Sequence, residues 1–385
     1  MPTFAEATPP DAGAEAGQPS DMLFRRAHHG PVRLSSAQQR LWFLNQVEPD
    51  GSHYHEASAE HLVGALDVHA LEVAFGRLVA RHEILRTTIG LVDGEPRQLV
   101  ADAAGIDLAS LDLREALAAG RPRDASGVRD LNDVAVAQRD AVIRTTLRTA
   151  MARPFRLSAD APIRGVLVRL GDRTWILLLV MHHSATDGWS VPIVWRELAI
   201  LYDECRSGTA TTLAPMRIRY RDYAEWHQEW LQGARLTEQL AFWRHALDGA
   251  RPLDLPTDRT RVEGRRSPAE TAHIEIDAET TRALRRLGRE HQATLFIVLL
   301  AAFETLLHRS CGQDDIVVGS PMAGRTHPEL EPLVGCFVNT LALRLRLSGD
   351  PTFVQVLAKA RATALSAYAH QDVPFEQVVK ALNPA

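Results

Sequence analysis

The stretch VMHHSATDGWS, residues 180–190, puts two adjacent histidines, an aspartate four residues after the second, and a glycine directly behind it. Dense apolar sequence precedes it: IRGVLVRL (163–170) and TWILLLV (174–180) flank the turn signal of Gly171 and Asp172. Such runs predict a hairpin of strands buried on both faces. Ser190, Pro192 and the amphipathic IVWRELAILYDECRSG (193–208) then mark the start of a helix. Strand, short polar turn and helix is the arrangement in which α/β proteins tend to place their chemistry, so this stretch predicts both the fold class and the candidate site.

Working outward, the same alternation of elements recurs. LSSAQQRLWFLNQ (34–46) reads as a helix with a capping box of Ser36 and Gln39, and Asp67 caps a helix through VHALEVAFGRLVARHE (68–83). LRTTIGLVDGEPRQLV (85–100) is a second hairpin around Asp93 and Gly94. Further on, helices are expected at 222–232, 280–291 and 294–310, and strands at AHIEID (272–277), DIVVGS (315–320) and FVNTLALRLRL (337–347). Asp350 and Pro351 open a last helix through Tyr368. Residues 1–30, rich in Ala, Pro, Gly and acidic groups, read as a disordered tail.

At 385 residues the chain exceeds the size at which one hydrophobic core stops growing, so two lobes are expected. A net charge of -5 gives no reason to expect nucleic acid or a membrane surface as partner. The three cysteines, Cys205, Cys311 and Cys336, form no CxxC pair, which argues against a disulfide framework or a structural zinc site and fits a reducing cytoplasm. The longest apolar runs, WILLLVM (175–181) and LFIVLLAAF (295–303), fall short of the roughly 18 residues of a membrane span.

Adjacent histidines on a strand point to opposite faces. A metal site with Asp187 as third ligand is therefore disfavoured, whereas one imidazole in the core and one in a cleft suits catalysis or plain structure. His183 is the candidate for the cleft and His182 for the core. Asp187 is read as a structural ion-pair partner for an arginine of RHEILRT (81–87). Gly188, lacking a Cβ, would let a substrate approach the backbone.

These residues carry a resemblance. MHHSATDGWS (181–190) resembles the HHxxxDG signature of chloramphenicol acetyltransferase-like acyltransferases and of nonribosomal peptide synthetase condensation domains. LSSAQQRLWFLNQV (34–47), RHEILRTTI (81–89), YRDYAEW (220–226), VGSPMAGR (318–325) with VGCFVNTL (334–341), and HQDVPFEQVV (370–379) resemble further condensation-domain motifs in the family's order. The form of the first and third motifs is most similar to the subtype joining two L-configured residues. Heterocyclisation domains replace the double histidine, and epimerisation domains match the other segments poorly.

The resemblance implies an α/β fold of two chloramphenicol-acetyltransferase-like lobes, a V-shaped pseudodimer with a central channel, divided as 31–205 and 206–385. The family normally continues beyond the ALNPA ending, so the second lobe is expected to be truncated at its end. It further implies amide-bond formation between a donor acyl or peptidyl thioester and an acceptor aminoacyl thioester. Donor and acceptor peptidyl carrier proteins would deliver both on phosphopantetheine arms, beside a possible adenylation domain, to a monomeric enzyme with no metal or bound cofactor of its own. His183, His182, Asp187 and Gly188 would form the catalytic signature. Arg86 is the preferred partner of Asp187 and Arg81 the second choice, and Ser190 is expected near the developing oxyanion. Tyr220, Arg325 and Asn339 would serve the substrate channel or bridge the lobes, and Trp189 would pack. The rival readings are a free-standing acyltransferase to a small amine or alcohol and a non-catalytic recruitment domain.

Overall fold

The computed structural model describes residues 22–28, 30–102, 108–119, 130–210, 212–258 and 272–382. In chain order the elements are β1 (Val32–Arg33), α1 (Ser36–Val47), β2 (His55–Val63), α2 (Val68–Arg81), a 3-10 turn (Glu83–Arg86), β3 (Thr87–Val92), β4 (Glu95–Val100), β5 (Leu108–Asp112), α3 (Arg114–Ala119) and α4 (Asp130–Ala152). There follow β6 (Ile163–Gly171), β7 (Thr174–His182), α5 (Ser190–Ser207), α6 (Tyr220–Trp230), α7 (Gly233–Leu247), α8 (Ala278–Glu290) and α9 (Leu295–Cys311). The chain closes with β8 (Asp315–Met322), β9 (Asn339–Arg346), α10 (Phe353–Tyr368) and α11 (Phe375–Leu382).

The expected β6–β7 hairpin is the centre of a four-stranded sheet ordered β2-β7-β6-β5. Leu177, Leu178, Leu179, Val180 and Met181 are all buried, because helices α2 and α5 cover one face while Leu34, Phe155 and Leu157 cover the other. β5 runs parallel to β6, a pairing that needs a crossover, and α3 and α4 supply it. The β3–β4 hairpin turns at Asp93 and Gly94, both at positive φ, which matches the twist of the flanking strands.

In the second half β8 and β9 pair antiparallel, with Leu341, Leu343 and Leu345 buried while Ala342 and Arg344 are half-buried, as the alternation predicts. The first core also draws in Ile218, Tyr220, Tyr223 and Trp226 of the α6 region and Leu330, Leu333, Val334 and Phe337 from the loop between β8 and β9. The crossing of 330–337 into the first core ties the two halves together.

Four expectations change. The α1 capping box is formed by Ser35 and Gln38, one residue earlier than expected. Residues 272–277 form no strand: Ile274 and Ile276 are exposed, and Asp277 instead caps α8 through the Thr280 N–H. The edge strand β2 and the helix α7 carry no strong periodicity and were not anticipated. Of the tail expected over 1–30, residues 1–21 and 29 lie outside the described residues, whereas 22–28 pack on α6. There Leu23 enters the core, Arg26 grips Glu229 in a two-pronged ion pair, and His28 Nε2 lies 2.6 Å from the buried Asp222.

Candidate active site

Strand parity separates the two histidines. His182, the last residue of β7, is 2% exposed; its Nδ1 accepts the Ser184 N–H at 3.1 Å and its ring lies edge-on to His55 and Phe155. Nδ1 thus acts as an acceptor and the ring proton sits on Nε2. Burial, reinforced by His55 and His183, pulls the His182 pKa down to about 3, so the ring is neutral at physiological pH. His182 is thus packed into the core as a neutral ring.

His183 is half-buried just past the strand end, where its backbone N–H donates to the Tyr54 carbonyl at 2.8 Å. Its Nδ1 is 3.2 Å from the Thr186 carbonyl, an obligate acceptor, which assigns the ring proton to Nδ1. In the neutral ring Nε2 then carries the lone pair, and it lies 3.3 Å from Glu56 Oε2. The turn 183–187 therefore fixes the tautomer that a proton acceptor needs.

Asp187 is 1% exposed and saturated with donors. Oδ1 accepts the Ser190 N–H at 2.9 Å and the Ser190 hydroxyl at 2.7 Å, and Oδ2 accepts the Phe337 N–H at 3.0 Å. Its ion-pair partner is Arg325, with Nη2 at 3.1 Å. Arg325 also donates to the carbonyls of Leu330 and Leu333 and stacks over Phe337, with the guanidinium carbon 4.1 Å from the ring centroid. Burial lowers the Arg325 pKa while Asp187 opposes the shift. The aspartate is thus the knot by which the crossing loop is tied to the histidine turn.

This overturns the expected pairing with RHEILRT. Arg86 donates to the Ala101 carbonyl, and Arg81 reaches Glu197 at 2.8 Å, which also takes His82 Nε2 at 2.7 Å. Both arginines are committed to partners other than Asp187. Ser190 is corrected as well: its hydroxyl, fully buried, accepts from Arg325 at 2.9 Å and the Gly335 N–H at 3.1 Å, and so belongs to the knot rather than to an oxyanion site.

The remaining expected residues divide by role. Gly188 is exposed and has open space where a Cβ would point, so its backbone is approachable. Trp189 is 49% exposed and its indole donates to the Glu331 carbonyl, which makes it a rim residue touching the crossing loop rather than core packing. Tyr220 bridges the halves: fully buried, it donates to the Cys336 carbonyl at 2.6 Å and accepts from Ser35 Oγ at 2.8 Å. The loop passes so close that a Cβ on Gly335 would collide with the Tyr220 ring. Asn339 clamps the chain near α11, donating to the Gln371 and Val373 carbonyls. It also lines a small open pocket with Arg40, His227, Phe337 and Asp372, which His183 does not line. Two groups escaped the sequence reading: Glu56, hidden because β2 was not recognised as the neighbour of β7, and Glu304, an acid in an apolar helix. Among the described residues no three His, Cys, Asp or Glu side chains gather into a metal-ligating group, and no single helix is long and apolar enough to cross a membrane.

The family described as Condensation domain matches residues 28–385. A linear gramicidin synthase of Brevibacillus parabrevis is 43% identical over 359 residues, a match that covers 93% of this chain and 6% of that protein. Among solved structures, the X-domain from teicoplanin biosynthesis is 30% identical with a TM-score of 0.80, covering 94% of this chain and 76% of that one. The first condensation domain of the calcium-dependent antibiotic synthetase, in complex with a substrate analogue, shares the fold at a TM-score of 0.74 and 24% identity, over 92% of this chain and 79% of its own. These likenesses identify the fold as the two-lobed, chloramphenicol-acetyltransferase-like α/β architecture.

Proposed function

The chain belongs to the condensation-domain family, whose members form peptide bonds in nonribosomal peptide biosynthesis, and from that premise we propose that it joins a carrier-bound donor thioester to the amine of a carrier-bound aminoacyl acceptor. The observation that carries the reading is His183: a half-buried imidazole just past a strand end, its Nδ1 held by the Thr186 carbonyl and its Nε2 beside Glu56, near the open backbone of Gly188. The chain spans only a small part of the synthetases it matches, so carriers and an adenylation domain would lie outside it.

A free α-amine has a reference pKa of roughly 7.7 to 8.0, so an appreciable fraction attacks a thioester without prior deprotonation. Holding the reacting groups in place supplies about 7 to 11 kcal/mol of the barrier, against about 10²- to 10⁴-fold for general-base help. In our reading His183 positions the amine and takes its proton through Nε2 as nitrogen bonds to the donor carbonyl carbon. The tetrahedral intermediate then collapses, the carbon–sulfur bond breaks, and the proton passes to the departing thiolate. In this reading the exposed Gly188 backbone, rather than the buried Ser190 hydroxyl, meets the developing oxyanion. Selectivity for two L-residues, the division into lobes 31–205 and 206–385 around a channel, a monomeric state and a cytoplasmic setting belong to the same proposal.

Intact-mass spectrometry tests it. Donor mass should move onto an L-aminoacyl carrier with the wild type and not with His183→Ala; transfer to small free acceptors alone would instead favour an ordinary acyltransferase. A second reading, docking of a partner protein, draws on the likeness to the X-domain, which has been solved in complex with OxyB. Wild-type protein that folds yet moves no donor to any acceptor would favour it.

A further inference from the structure

Side chains alternate along paired strands, and the β2–β7 register sets His55 opposite His182 and Glu56 opposite Met181. His55 and His182 therefore share one face of the sheet, while Glu56, Met181 and His183 lie toward the other. On that face Glu56 Oε2 reaches within 3.3 Å of His183 Nε2. In the neutral ring the Thr186 carbonyl holds the single imidazole proton at Nδ1, so the two facing atoms are then both acceptors. No Arg or Lys among the described residues pairs with Glu56. Two acceptors that close are complementary to a group carrying more than one N–H.

We propose that Glu56 is a positioning and specificity residue for the acceptor, its carboxylate taking one N–H of the incoming amine while His183 Nε2 takes another. This rests on the reading of the chain as an amine acylator. A neutral amine arriving at the pair donates one N–H to each acceptor. As its lone pair bonds to the thioester carbonyl carbon, the proton on the His183 side passes to Nε2, and the adjacent carboxylate stabilises the imidazolium until that proton leaves with the departing sulfur as the carbon–sulfur bond breaks. A hydroxyl has a single proton and can satisfy only one of the two acceptors. The pair therefore selects amines over hydroxyl nucleophiles, a choice that His183 alone does not make.

The test is binding without turnover. The amide-linked alanyl derivative of aminopantetheine and its lactyl counterpart, which differ only in ammonium against hydroxyl, are titrated by NMR into wild type, Glu56→Gln and Glu56→Asp. Wild type should prefer the amine about tenfold, the effect of one lost hydrogen bond to a charged group. Glu56→Gln should bind both probes alike, and Glu56→Asp should restore part of the preference. A Glu56→Gln variant that keeps the full preference, or a wild type that shows none, overturns the proposal. Failure of the wild type to move donor between carriers would count against the functional reading instead, since the binding result does not depend on turnover.

Discussion

Two carboxylates in this molecule are equally hidden from water and have opposite fates. Asp187 is 1% exposed and receives hydrogen bonds from Ser190, Arg325 and Phe337. Glu304, in the middle of α9, is 0% exposed, and neither of its oxygens meets a donor among the described residues. Burial alone pushes the Glu304 pKa up to about 8, so that acid keeps its proton at neutral pH. The difference teaches that burial makes a carboxylate either a structural anchor or a liability, and that the donors around it decide which.

The largest effect should come from breaking the anchored side. Asp187→Asn or Arg325→Leu leaves its partner buried and unpaired, at a cost of about 3 to 5 kcal/mol. Soluble, cooperatively unfolding protein should be lost in both, as read by denaturant titration; a variant as stable as wild type would break the comparison.

Glu304 should respond in the opposite direction. Its folded pKa of about 8 exceeds the value of 4.5 taken for the free side chain, so between these two pH values the folded state holds the extra proton. Stability from this group is fully present below the lower value and falls as pH rises through the upper one. Glu304→Leu should therefore gain about 3 kcal/mol at pH 7 and flatten the alkaline side of the stability profile. The acid side should persist, because His182, whose pKa is lowered to about 3, remains neutral in the fold while the unfolded chain takes up protons below about 6.5. Urea midpoints across pH for the wild type and Glu304→Leu read both slopes.

The smallest effect sharpens the choice of partner for Asp187. Arg86→Ala should change stability by less than about 1 kcal/mol, since it removes a half-buried contact to the Ala101 carbonyl and not the anchor. A loss matching that of Arg325→Leu would return Arg86 to the role the sequence suggested.

What was legible in the chain was local. Apolar density and the Gly171–Asp172 and Asp93–Gly94 turns specify their hairpins because register and turn chemistry act over a few residues. The opposite facing of His182 and His183 follows from strand parity. The partner of Asp187 was not legible, because Arg325 lies 138 residues away and reaches it only by the path of the crossing loop. Glu56 stayed hidden for a related reason: HEASAEHLV mixes polar and small residues, as an edge strand does, and its neighbour could be known only from the pairing. AHIEID shows the converse, an alternating pattern that pairs with nothing among the described residues and ends as the cap of α8.

The account's central claim is that His183 serves the chemistry and Asp187 the fold. The single-turnover rate of donor transfer, divided by the concentration of folded protein, tests it on His183→Ala and Asp187→Asn together. Folded His183→Ala should have lost most of the rate, and the surviving folded fraction of Asp187→Asn should retain it. A stable but inactive Asp187→Asn, or a His183→Ala protein at near wild-type rate, would contradict the claim.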